Sequence, residues 1–171
     1  MYQIGTVVNH PTAGVCKIDD IRDKKFQDLA KRTYYILHPV SGNKSTVYVP
    51  VDTQKVHLRK MMTRDEIIDL IGSTDVSIIS WNEKANLRKA EYIELLRSDD
   101  IRNIIALIAF LHTKKDEYLQ LDKKFPTTEE RILKEAENKI HQEFSYALNM
   151  PPEQVPLFIM ENLHMPAKQH A

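Results

Sequence analysis

The chain has 171 residues, 42% hydrophobic and 28% charged, which suffices for one medium domain or two small ones. Lys+Arg and Asp+Glu each number 24, so no global basicity points to nucleic acid. The single cysteine, Cys16, excludes an intramolecular disulfide and suits a reducing cytosol.

Residues 1–60 read as strands. Gly5 to Val8 is short and apolar, and His10-Pro11-Thr12-Ala13-Gly14 is a turn. Val15, Ile18 and Ile21 mark a second strand segment, and Tyr34 to Leu37 a third. Ser41-Gly42-Asn43 is a tight turn. The stretch STVYVPVD, residues 45–52, then alternates. Val47, Val49 and Val51 fall on one side of an extended chain, and Thr46, Tyr48 and Pro50 on the other. The valine row requires a core. Pro50 cannot donate to a ladder, so the strand is expected at a sheet edge, with backbone groups open to another chain. Val56 to Met61 closes the set. Strands this short predict a small twisted barrel or half-open sheet.

The pattern changes at Thr63. Thr63-Arg64-Asp65-Glu66 predicts a capping box for a helix through Ile71, and Gly72 to Asp75 a linker. From residue 76 the chain is helical by period. Leu87, Ala90, Ile93 and Leu96 recur at threes, and Ile101, Ile104, Ile105, Ile108 and Leu111 form a stronger stripe. Thr127 to Glu130 predicts another capping box. It opens a long helix whose face carries Ile132, Leu133, Ala136, Ile140, Phe144 and Leu148. Pro151-Pro152 ends it, a short helix follows around Val155 to Leu163, and the tail 166–171 is expected to fray. The fold class is therefore α+β: a β module over 1–62, a helix and linker over 63–75, and a helical bundle over 76–165.

Few side chains suggest chemistry. His10, Cys16 and His57 all lie in the β module, but a cysteine in an apolar strand is ordinarily a small buried hydrophobe. No nucleophile elbow, phosphate loop or zinc-binding helix occurs, and the histidines have no ligand spacing. Four glycines are too few for a phosphate cradle beside the structural turns. The expectation is a non-enzyme without metal or cofactor. Met1-Tyr2-Gln3 leads into polar and turn residues, so no signal peptide is expected. Ile101 to Leu111 is too short to span a bilayer, so a cytoplasmic protein with no membrane contact is expected.

Trp81 is the only tryptophan. Beside Ile78 and Ile79 it reads as core. At helical spacing it shares a face with Lys84 and Arg88, with Lys89 adjacent, and such a face could hold phosphates while the ring wedges against bases. Both readings stand on the residues alone. Tyr48 is similarly open: outward tyrosines often pair across a sheet, and an edge position also offers them to another chain.

The order of motifs goes further. Ile4-Gly5-Thr6-Val7-Val8, His10-Pro11, Gly14-Val15, Tyr34-Tyr35-Ile36-Leu37, Thr46-Val47-Tyr48-Val49-Pro50-Val51, Leu58-Arg59-Lys60-Met61-Met62, the lone Trp81 and Leu95-Leu96-Arg97-Ser98-Asp99 follow one another. This series resembles the CarD/CdnL family of bacterial transcription regulators, over nearly the whole chain to about residue 150. The resemblance implies a Tudor-like module that binds the RNA polymerase β subunit by adding its edge strand to a polymerase strand, through Thr46, Val47, Tyr48, Val49 and Pro50. Lys24 matches a basic position used near that interface. The resemblance also implies a helical domain that sets Trp81 at the upstream fork of the promoter bubble. Lys84, Arg88 and Lys89 would then lie on the DNA, largely regardless of sequence. Residues beyond 72 carry 13 basic and 16 acidic side chains, so DNA contact is expected to depend on tethering to polymerase. The alternative is a protein–protein adaptor on polymerase with Trp81 in the core and no DNA contact. A monomer is expected, with strand-swapped dimers open to an unpaired edge.

Overall fold

The computed structural model describes residues 1–27, 30–42, 44–98 and 100–163. The tail 166–171 and Asn43 of the expected turn lie outside the described residues. The chain divides into two compact units, Met1–Met62 and Thr63–Ala171.

The first unit is an antiparallel five-stranded sheet of β1 (Val7–His10), β2 (Gly14–Lys24), β3 (Arg32–Pro39), β4 (Val47–Pro50) and β5 (Arg59–Lys60), in the order β4-β3-β2-β1-β5. The β1–β2 turn closes on a histidine. His10 Nδ1 accepts the backbone N–H groups of Thr12 and Ala13 at 3.2 and 3.0 Å, and Gly14 takes the left-handed φ of 72° that a side chain would resist. Between β2 and β3 the register slips at Asp19: Ile18 lies opposite Leu37, and Asp20 opposite Ile36. That bulge keeps Ile18 and Ile21 both on the inner side while adding twist. The core is Val8, Cys16, Ile18, Tyr35, Leu37 and Val49, flanked by Tyr2, Val47, Val51, Val56 and Leu58. Tyr2 ties the N-terminus across it: its N–H donates to Tyr35 Oη and its hydroxyl to Leu58 O, both at 3.0 Å. The valine row of residues 45–52 thus faces inward as expected, with Val49 only 2% exposed.

The second unit contains α1 (Arg64–Gly72), a 3-10 turn (Val76–Ile78), α2 (Ala85–Arg97), α3 (Ile101–Gln120), α4 (Thr127–Leu148), a 3-10 turn (Pro152–Gln154) and α5 (Val155–Asn162). The first capping box forms: Thr63 Oγ1 accepts from Glu66 N–H and the Glu66 carboxylate accepts from Thr63 N–H. Ile67 and Ile71 of α1 are fully buried, and Arg64 lies 5.5 Å from the Phe158 ring centroid of α5. All residues from Ile104 to Ala109 are buried, so α3 is the central helix, apolar all round over that stretch.

The expected second capping box does not form. Pro126 is the N-cap, and Glu130 N–H already bonds Pro126 O at 3.0 Å. Thr127 therefore stands inside the helix, where its hydroxyl no longer caps, and Glu129 and Glu130 turn to Arg88 and Lys115 instead. The α2 stripe also differs from expectation. Leu87 is 50% exposed, whereas Arg88, Tyr92 and Leu96 form the buried i, i+4, i+8 row. Among the described residues, no helix is long and apolar enough to cross a membrane.

Candidate functional sites: an open strand edge and a half-buried indole

Among the described residues, strand β4 pairs only with β3, in the register Tyr34↔Pro50, Tyr35↔Val49, Ile36↔Tyr48 and Leu37↔Val47. Val51 N–H donates to Thr33 O at 3.0 Å, one step further along the same register. Antiparallel pairs alternate between bonded and non-bonded, so Val49 and Val47 are the other residues that bond β3. The polar groups of Tyr48 and Pro50 consequently point away from β3, to the open edge. This explains why Pro50 is tolerated: its missing N–H costs the ladder nothing. Pro50 O accepts from Thr53 N–H at 3.2 Å. The edge therefore offers an incoming strand one two-bond pairing position, the N–H and C=O of Tyr48.

The outer face at that position is aromatic and cationic. Tyr48 is 36% exposed, and its ring lies edge-on to Phe26 at 5.2 Å. Phe26 also meets Tyr34 edge-on at 5.2 Å. Lys24 Nζ sits 4.4 Å from the Tyr48 centroid and donates to its hydroxyl at 3.1 Å. A Lys over a ring face is attracted by the ring's quadrupole, by about 0.5–1 kcal/mol at an exposed site. Lys24 and Tyr48, far apart in sequence, are thus brought together, and Phe26 joins them as a residue that sequence reasoning passed over. Thr46 is exposed at the head of the strand, its hydroxyl 3.1 Å from His38 Nε2.

Trp81 lies in the irregular segment between the 3-10 turn at Val76–Ile78 and α2, which begins only at Ala85. The single helical face expected for Trp81, Lys84 and Arg88 therefore does not exist. Asn82 is the physical reason: its Oδ1 accepts Lys84 N–H at 2.9 Å, a side-chain turn that holds the chain out of the helix. Lys84 and Lys89 are exposed. Arg88 is not a solvent-facing cation: it is 6% exposed, its Nε donates to Glu129 Oε1 at 2.5 Å and its NH1 to Asn82 O at 2.6 Å. Its guanidinium carbon stands 4.1 Å from the Trp81 ring centroid. One helical turn on, the Tyr92 hydroxyl donates to Ser80 O at 3.2 Å. Burial pushes that hydroxyl far above its ordinary pKa, so it stays a donor.

The indole is half-buried, with Tyr118 of α3 at 5.8 Å and Phe125 at 6.4 Å between centroids. The turn joining those two rings is fixed by Lys123 N–H to Tyr118 O at 2.8 Å, with Asp122 in the left-handed region at φ 53°. Lys123 and Lys124, exposed on this turn between the two rings, are cations that sequence reasoning missed. Their signal was weak, since a Lys-Lys pair between helices is ordinarily just solvated.

Cys16 is fully buried, and burial pushes its thiol up, opposite to the need of a nucleophile. His10 Nδ1 is occupied by the turn, and His57 is exposed.

Residues 2–62 match the family model of the CarD-like/TRCF RID domain. The match ends at the boundary of the first unit, so it is the sheet module that is similar to this family, and the likeness points to an RNA polymerase-interacting, transcription-related domain. A comparison of the chain with curated proteins finds no match.

Proposed function

We propose that this protein is a polymerase-tethered transcription regulator of the CarD/CdnL type, which stabilises the promoter open complex. The β4 edge adds to a strand of the polymerase β subunit, and Trp81 meets DNA at the upstream edge of the bubble. The observation that carries the reading is the open Tyr48 edge inside a segment that matches an RNA polymerase-interacting domain. Backbone pairing at Tyr48 supplies affinity, and Lys24, Phe26 and Tyr48 read the partner's side chains. Pro50 removes a donor from the same edge, which disfavours strand-swapped dimers and supports a monomer.

Trp81 acts as a wedge. Unstacking one base step costs a few kcal/mol, and an indole filling that space offsets a comparable amount. Lys84 and Lys89, with Lys123 and Lys124, are the cations left to meet phosphates; Arg88 is engaged internally. The second reading, an adaptor with no DNA contact, is favoured by the packing of Trp81 on Tyr118 and Phe125. Tryptophan emission separates them: a red-shifted, readily quenched indole fits the wedge, and a blue-shifted, protected one fits the adaptor.

Two variants test the proposal. Tyr48→Glu places an unpaired charge at the docking edge and is expected to abolish binding to the isolated β-subunit lobe. Wild-type recovery with that lobe would refute edge docking. Trp81→Ala is expected to keep polymerase binding and shorten open-complex lifetime by one to two decades, each about 1.4 kcal/mol. An unchanged lifetime would refute the wedge.

A further inference from the structure

We propose that Arg88, Tyr92 and Glu129 are positioning residues that hold Trp81 ready before DNA arrives, an inference that rests on the wedge reading for its functional consequence. Trp81 sits in a segment with neither helix nor sheet to satisfy its backbone. Both carbonyls that bracket it are nevertheless bonded. Ser80 O accepts from the Tyr92 hydroxyl at 3.2 Å, and Asn82 O from Arg88 NH1 at 2.6 Å. These donors stand four residues apart on α2, so they share one face and grip two points of the chain two residues apart. Arg88 then covers the indole itself, 4.1 Å from its centroid.

The guanidinium could not stay there alone, because a buried unpaired charge is unstable. Glu129, 1% exposed in the first turn of α4, supplies the countercharge at 2.5 Å, where the helix N-terminus also favours a carboxylate. A buried ion pair of this kind is a poor way to gain stability, since apolar side chains of similar volume would fold as well. What it does supply is geometry. One planar group bonds the backbone beside Trp81, stacks on its ring and is itself fixed from a second helix. An indole ordered in advance loses less freedom on meeting DNA. Arg88 was expected on the DNA; in this arrangement it acts through Trp81.

The test uses the full chain, in which Trp81 is the only tryptophan and therefore a clean probe. Arg88→Met with Glu129→Gln removes both charges together, and Tyr92→Phe removes one hydroxyl. The readouts are time-resolved fluorescence anisotropy of the indole and open-complex lifetime with purified polymerase. In the wild type the indole should tumble with the protein. The double variant, still helical and cooperatively melting, should add a nanosecond local rotation and shorten the lifetime by roughly tenfold. Tyr92→Phe should do the same to a smaller extent. A folded double variant whose indole is as immobile as the wild type's would overturn the proposal, as would a mobile indole with an unchanged lifetime. If the double variant does not fold, Tyr92→Phe decides by the same anisotropy readout. Should Trp81→Ala itself leave the lifetime unchanged, the wedge fails, while anisotropy still tells whether the three residues fix the indole.

Discussion

The two surfaces of this molecule are built by opposite means. At the β4 edge, the groups offered to a partner are backbone atoms of Tyr48, placed by an unbroken antiparallel register. Around Trp81, regular structure stops, and the segment is held by side chains from residues 88, 92 and 129. The first needs only local alternation plus one ladder. The second needs contacts across 41 positions in sequence, from Arg88 to Glu129. A surface made of ladder tolerates changes in its exposed charges, whereas one made of buried polar contacts depends on each of them.

The largest effect expected from this contrast compares two ion pairs. Glu129→Ala leaves Arg88 buried without a countercharge and should cost about 3–5 kcal/mol. Urea unfolding followed by Trp81 emission reads it in the helical unit. In the sheet unit, Arg32 and Asp52 pair at 2.9 Å, but 46% and 65% of their side chains are exposed. Asp52→Ala should leave the unfolding midpoint of the sheet, followed by the reactivity of the buried Cys16 thiol, unchanged, because an exposed pair is screened. Equal losses in both variants would mean that the Arg88 site is not dry, and the contrast would disappear.

Acid sharpens the comparison further, since each unit holds a histidine that burial keeps below its ordinary pKa. In the sheet it is His10, whose Nδ1 accepts two backbone donors and must stay unprotonated to do so. In the helices it is His141, shifted down by burial first, with Glu137 pulling it up and His112 pushing it down. Its Nε2 is buried with no hydrogen-bond partner among the described residues. A depressed base binds fewer protons folded than unfolded. The stability it confers is thus complete above about pH 6.5, the unfolded value, and is lost as pH falls below it. Both units should be less stable at pH 5.5 than at 7.5. Amide protection at Thr12 and Ala13, with exchange corrected for its intrinsic slowing in acid, should fall over that interval as His10 gains its proton, and unchanged protection there would show that the turn does not depend on the ring.

The same contrast explains what could be read from sequence. Residues 45–52 gave away their inner and outer sides because strand period is two and the valines keep to it. Gly14, Pro50 and Thr63 each carried a local geometric demand, and each stands where that demand is met. Around Trp81, the buried row of α2 was hidden because its first member is Arg88, a residue type that is rarely buried without a partner. Its partner lay on a helix that no local pattern connects to it. The helix start was misjudged for the same reason: Lys84 fits a helical period, and only the Asn82 side chain, bonding the backbone two residues on, keeps Lys84 at the boundary.

The smallest effect tests that lesson at two helix starts with near-identical sequence signals. Thr63 caps α1 in a reciprocal bond with Glu66, so Thr63→Ala should cost about 1 kcal/mol. Thr127 precedes Glu130 by the same three residues, yet Pro126 occupies the cap and the Thr127 hydroxyl makes no capping bond. Thr127→Ala should change stability by a few tenths of a kcal/mol at most, because Ala is the better residue inside a helix. Trp81 emission reads both variants in one unit, so the difference between them is free of inter-domain effects. If the two cost the same, the entry of α4 begins at Thr127 after all, and Glu129 would sit one step away from the position that lets it reach Arg88.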